Sequence, residues 1–81
     1  MGHMSKNVTL DNPAYIHESA WLYGKVYIGN GASVWPNVVT RAETFEIRIG
    51  ARTNIQDFVM IHVGAAAPTI VGDDCSISPP A

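Results

Sequence analysis

The chain has little of what marks several common protein classes. It carries one cysteine, Cys75, in 81 residues, so neither an internal disulfide nor a cysteine-based zinc finger can form. Charged residues are only 15% of the total, and five Lys+Arg stand against seven Asp+Glu for a formal net charge of −2. That balance is too weakly basic for a nucleic-acid surface, and no run of like charge suggests a tail. No apolar run approaches the roughly 20 residues needed to span a bilayer. The N-terminal residues also lack the charged-then-apolar pattern of a signal peptide. The sequence therefore predicts no nucleic-acid partner, no membrane partner and a cytoplasmic location. Hydrophobic residues reach 47%, which together with the low charge argues against disorder.

The length leaves room for one domain at most. A domain of this size buries only about 60% of the surface its unfolded chain exposes. With no disulfide to help, association with further copies is the expected source of stability. Met1-Gly2-His3-Met4 reads as an expression-tag remnant and start, which leaves residues 5–81 as the domain and sets His3 aside from any site.

A repeat organises that domain. Aliphatic residues stand six apart at Ile16, Leu22, Ile28 and Val34, resume at Ile49, Ile55 and Ile61, and resume again at Val71 and Ile77. Two positions before each stand Ala14, Ala20, Val26, Ala32, Ile47, Thr53, Val59, Thr69 and Cys75. The phase breaks near Thr40 and after His62. A helix would repeat at 3.6 residues and a half-buried strand at two, so period six suits neither alone. Six residues per side of a three-sided coil fit it, with the aliphatic residue inward on each side. Glycines follow the aliphatic residue at Gly29, Gly50 and Gly72, where unusual backbone angles are expected. The predicted fold is all-β: a parallel β-helix, a solenoid of three to four coils in which each coil contacts only its neighbours. Frequent glycine and proline argue against a helical alternative. The stretch Ala65-Ala66-Ala67-Pro68 reads as a loop, and Pro79-Pro80 as residues that blunt a strand edge.

Within the repeat lie the segments Val26-Tyr27-Ile28-Gly29, Ser33-Val34-Trp35-Pro36-Asn37 and Thr40-Arg41-Ala42-Glu43. They are followed by Asn54-Ile55-Gln56-Asp57, Ile61-His62 and Pro68-Thr69-Ile70-Val71-Gly72-Asp73-Asp74. Over roughly residues 12 to 77 this resembles the γ-class carbonic anhydrase-like proteins, a hexapeptide-repeat family. The resemblance implies a left-handed β-helix, a trimer, and zinc at subunit interfaces. It makes His62 a zinc-ligating histidine and Gln56 the residue that positions the zinc-bound water. Asn54 and Asp57 complete that motif. Arg41 becomes an arginine paired with a carboxylate, with Asp57 as its partner across the subunit contact. Glu43 stands where the family usually has aspartate, and Ala42 where it has glycine. The family continues with two further zinc-ligating histidines. Here Ser78-Pro79-Pro80-Ala81 follow Ile77, and Pro79 stands where the second histidine would be.

A catalytic zinc needs three protein ligands and an open position for water. The resemblance thus implies a trimeric, C-terminally truncated β-helix with an incomplete zinc site and no assured enzyme activity. One alternative is an active zinc-dependent carbonic anhydrase acting on CO2 and bicarbonate, with ligands supplied across subunits and Glu43 shuttling protons. Another is a hexapeptide-repeat acyltransferase, supported by analogy of fold alone. Cys75, at a small-residue position, reads as an inert core thiol. Trp21, Tyr23 and His17 are expected to face outward, and Trp35 to cap a corner or pack at a subunit contact.

Overall fold

The computed structural model describes residues 3–62 and 67–79. Met1–Gly2 of the tag assignment, Ala65–Ala66 of the expected loop, and Pro80 lie outside the described residues. No helix occurs among those described, and ten strands follow one another along the chain. They are β1 His3–Met4, β2 Thr9–Leu10, β3 Tyr15–Ile16, β4 Trp21–Ile28, β5 Ser33–Val34, β6 Val39–Ile49, β7 Asn54–Ile55, β8 Met60–His62, β9 Thr69–Val71 and β10 Ser76–Ile77.

Every pairing is parallel, and the strands stack as three faces. One face carries β3, β5, β7 and β10 in order. The second carries β1, the first half of β4, the first half of β6, and β8. The third carries β2, the second halves of β4 and β6, and β9. Parallel neighbours connected by whole coils around a shared core are the signature of a solenoid. The fold is a left-handed parallel β-helix of about three turns.

The six-residue period becomes the inward row of each face. Leu22, Ile28, Ile49 and Ile55 are fully buried, as are their companions Ala20, Val26, Ile47 and Thr53. Burying each large aliphatic side chain contributes about 1.5–3 kcal/mol. The repeat runs one position further than its aliphatic members suggest. Thr40 pairs with both Leu22 and Ile61 and is 1% exposed, so it holds an inward position. The phase breaks only after Ala42, because a threonine there hides the pattern from an aliphatic count.

The two interruptions fall at the same corner. Partners on the first face lie 18 residues apart from Ile16 to Val34, then 21 from Val34 to Ile55, then 22 from Ile55 to Ile77. The three added residues enter between Ala42 and Ile47, opposite the short step from Gly24 to Val26. The further one enters between His62 and Thr69. Gly24 serves this corner with φ of 80°, and a Cβ there would collide with the Ala42 carbonyl. Only glycine meets both conditions.

The glycines after the aliphatic positions have a different reason from the one expected. Gly29, Gly50 and Gly72 do not take positive φ. At Gly50 a Cβ would run into the Gly72 backbone, and at Gly29 it would lie 2.8 Å from the Gly50 carbonyl carbon. Close approach of successive coils, rather than backbone angle, calls for glycine at positions 29 and 50. Cys75 also differs from expectation. It is half-buried, with Sγ 3.4 Å from the Asp73 carbonyl oxygen, because its coil has a described neighbour on one side only.

Candidate functional site

Stacking at these offsets brings Tyr23, Arg41 and His62 into one outward row across β4, β6 and β8. Neighbouring strands in a sheet lie about 4.8 Å apart, so side chains in one row are neighbours. Glu43 stands two residues beyond Arg41 on the same strand and points back along it. Arg41 Nη2 donates to Glu43 Oε1 at 2.8 Å, and the same oxygen lies 3.4 Å from His62 Nε2. The three side chains are 45%, 60% and 49% exposed in the order Arg41, Glu43, His62. Pairs this open contribute about 0–1 kcal/mol, so the cluster is arranged on the surface rather than locked into the core.

Asn54, Gln56 and Asp57 occupy the first face and the corner that follows it. The Ser33 hydroxyl donates to Asn54 Oδ1, and Trp35 Nε1 donates to the Ser33 hydroxyl at 3.2 Å. Gln56 Nε2 donates to Ser76 Oγ at 3.0 Å, while Gln56 Oε1 accepts from Ser78 Oγ at 3.3 Å. Gln56 therefore ladders with polar residues of the next coil. Trp35, Asn54, Gln56 and Asp57 line one shallow depression.

The residues singled out from sequence thus form two groups. Arg41, Glu43 and His62 make one, and Asn54, Gln56 and Asp57 the other. Among the described residues no hydrogen bond or ion pair joins them. Within the chain the partner of Arg41 is Glu43, and Asp57 has no ion-pair partner among the described residues. Tyr23 was not singled out as a member of the row, although the coil offset that relates it to Arg41 and His62 would have found it.

The donor set bears on the zinc that the resemblance implies. His62 Nε2 and the Glu43 carboxylate are one nitrogen and one oxygen donor. No group of three candidate ligands occurs among the described residues. A catalytic zinc takes three protein ligands, so one chain's described residues do not by themselves fit the ion.

A further depression runs along Gly29, Gly50 and Gly72 on the third face. There Tyr27 Oη donates to Asp11 Oδ2 at 2.9 Å, and the Arg48 guanidinium sits 4.4 Å above the Tyr27 ring. The hydrogen bond to Asp11 raises the Tyr27 pKa above its ordinary value. The repeat marks Gly29, Gly50 and Gly72 in the sequence, but the meeting of Asp11, Tyr27 and Arg48 depends on the stacking of three coils.

No family model and no solved structure matches the chain. Curated relatives do. The mitochondrial gamma carbonic anhydrase 3 of Arabidopsis thaliana is 36% identical over 83 residues, covering 95% of this chain and 32% of that protein. The probable carbonic anhydrase of Methanocaldococcus jannaschii is 42% identical over 74 residues, covering 91% of this chain and 43% of that protein. The uncharacterized transferase YtoA of Bacillus subtilis is 38% identical over 64 residues, or 79% and 37% of the two chains. The chain spans less than half the length of these relatives.

Proposed function

We propose, from the premise that this chain is γ-carbonic anhydrase-like across 95% of its length, that it works as an assembling β-helix module. In this reading it forms a trimer, presents His62 at a contact between copies, and does not hydrate CO2 by itself. The observation that carries it is the donor set: His62 Nε2 with Glu43 at 3.4 Å, against the three ligands a catalytic zinc requires. Arg41, Glu43 and Asp57 then act as charges that fix register and choice of partner, a common role for interface charges. Asn54 and Gln56 hold successive coils together through their ladders to Ser33, Ser76 and Ser78.

The names of the plant and archaeal relatives favour a second reading, in which neighbouring copies complete the zinc site and CO2 is hydrated. One experiment separates the two. Tag-free protein is dialysed against trace zinc, its metal content is measured, and CO2 hydration is followed by stopped flow beside His62→Ala. The module reading expects no retained zinc and hydration at the buffer rate. One zinc per chain, lost in His62→Ala, with zinc-dependent hydration, overturns it.

A further inference from the structure

Asn30 and Gly31 form the middle of the turn that follows β4. Ala32 N donates to Gly29 O at 3.1 Å and closes the turn. Gly31 takes φ of 73° at its third position, a place that favours glycine. Asn30 is exposed. An asparagine beside a glycine carries a chemistry of its own. The backbone nitrogen of the following residue can attack the side-chain Cγ, and glycine leaves that nitrogen without a side chain to crowd the approach. Asn30 is the one asparagine of the chain followed by glycine. Val8, Val38 and Ile55 follow Asn7, Asn37 and Asn54, and their branched side chains crowd the nitrogen. Pro13 follows Asn12 and has no N–H to give up.

The folded chain holds this pair in check. The peptide between Asn30 and Gly31 has both of its polar atoms bonded to neighbouring coils. Gly31 N donates to Asn12 O of the coil before at 3.1 Å, and Asn30 O accepts from Arg52 N of the coil after at 2.9 Å. To attack Cγ, the Gly31 nitrogen must leave Asn12, lose its proton and turn towards the side chain. Turning that peptide also draws Asn30 O away from Arg52. The reaction therefore needs the corner to open. Each coil of a solenoid is held only by its neighbours, and an exposed corner opens at lower cost than the core beneath it.

We propose that Asn30 is a site of spontaneous covalent modification, converted to aspartate and isoaspartate through a cyclic imide, and that opening of this corner sets the rate. The Gly31 nitrogen bonds to Asn30 Cγ, the bond from Cγ to Nδ2 breaks, and ammonia leaves with the proton that Gly31 gives up. Water then opens the ring at either carbonyl. One route restores the ordinary backbone and leaves a carboxylate on the side chain of residue 30. The other carries the backbone through that side chain, lengthens it by a methylene and displaces the peptide from its partners on Asn12 and Arg52. The proposal is independent of the assembly reading above, since it involves one chain and water alone.

The test incubates the full chain at mildly alkaline pH, folded in buffer and unfolded in guanidinium chloride. Peptide mapping with mass detection follows every asparagine and separates the two acid products. The expected result is conversion at Asn30 ahead of Asn7, Asn37 and Asn54 in the unfolded chain, slowed about tenfold or more by folding. Hydrogen exchange at the Gly31 amide reads the same opening, and its protection should match that slowing. An Asn30 that keeps its amide in the unfolded chain, or converts no faster than the other asparagines, would overturn the site. Equal rates in the two states, or a slowing unrelated to the protection of Gly31, would overturn the control by corner opening.

Discussion

Thr40 offers a direct test of the solenoid's core. Its hydroxyl is buried, and Oγ1 has no hydrogen-bond partner. It stands in an inward row between Leu22 and Ile61. A hydroxyl removed from water without a partner costs about 1–3 kcal/mol, and replacing it with an apolar group of the same shape recovers much of that. Valine has threonine's shape. Thr40→Val should therefore stabilise the fold by about 1–2 kcal/mol, or roughly 4–8 °C in Tm for each kcal/mol in a domain this small. Thr53 is the control. It is equally buried, but its Oγ1 donates to the Gly72 carbonyl at 2.7 Å and accepts from Cys75 N at 3.1 Å. Thr53→Val strands both backbone groups and should destabilise by about 1–3 kcal/mol. Urea unfolding of both variants beside wild type, at one protein concentration because association shifts apparent stability, gives the signs. Equal or lower stability for Thr40→Val, with an unchanged m-value, would refute the reasoning. It would mean that the hydroxyl is satisfied, or that the row does not point inward.

Other expectations follow from single contacts. Arg52 holds the Asp74 carboxyl below its ordinary pKa, chiefly through hydrogen bonds from Nε at 2.7 Å and Nη2 at 2.9 Å. A depressed carboxylate contributes stability above its unfolded pKa, about 3.9, and that contribution fades as pH falls through the folded value. Asp74→Asn should thus flatten the loss of stability below about pH 4, read by acid titration of the circular dichroism signal. Gly24→Ala should destabilise by about 3 kcal/mol or more, since it combines a left-handed backbone with a collision against Ala42. A fully folded alanine variant with wild-type urea stability would contradict the close packing of that corner.

Spacing alone determined the architecture. An inward aliphatic residue at every sixth position leaves a three-sided coil as the arrangement that buries all of them, and Leu22, Ile28, Ile49 and Ile55 are buried accordingly. The motif from Asn54 to His62 likewise carries the resemblance to the γ-carbonic anhydrase-like relatives. Register was harder to read. A threonine in an aliphatic row, and two insertions at one corner, change the stacking offset from 18 to 21 to 22 residues. Those offsets decide which side chains meet. They set Tyr23 beside Arg41 and Arg41 beside His62, and turn Glu43 back onto both. They also leave Asn54, Gln56 and Asp57 on a different face, although the sequence carries them in the same motif as His62. Glycine at position 50 shows the same division: its identity is plain in the chain, but its reason is the backbone of the next coil. Local spacing specifies which residues turn inward, because burial is a property of each six-residue unit. Contacts between coils depend on the accumulated length of everything between them, and only the folded solenoid adds that up.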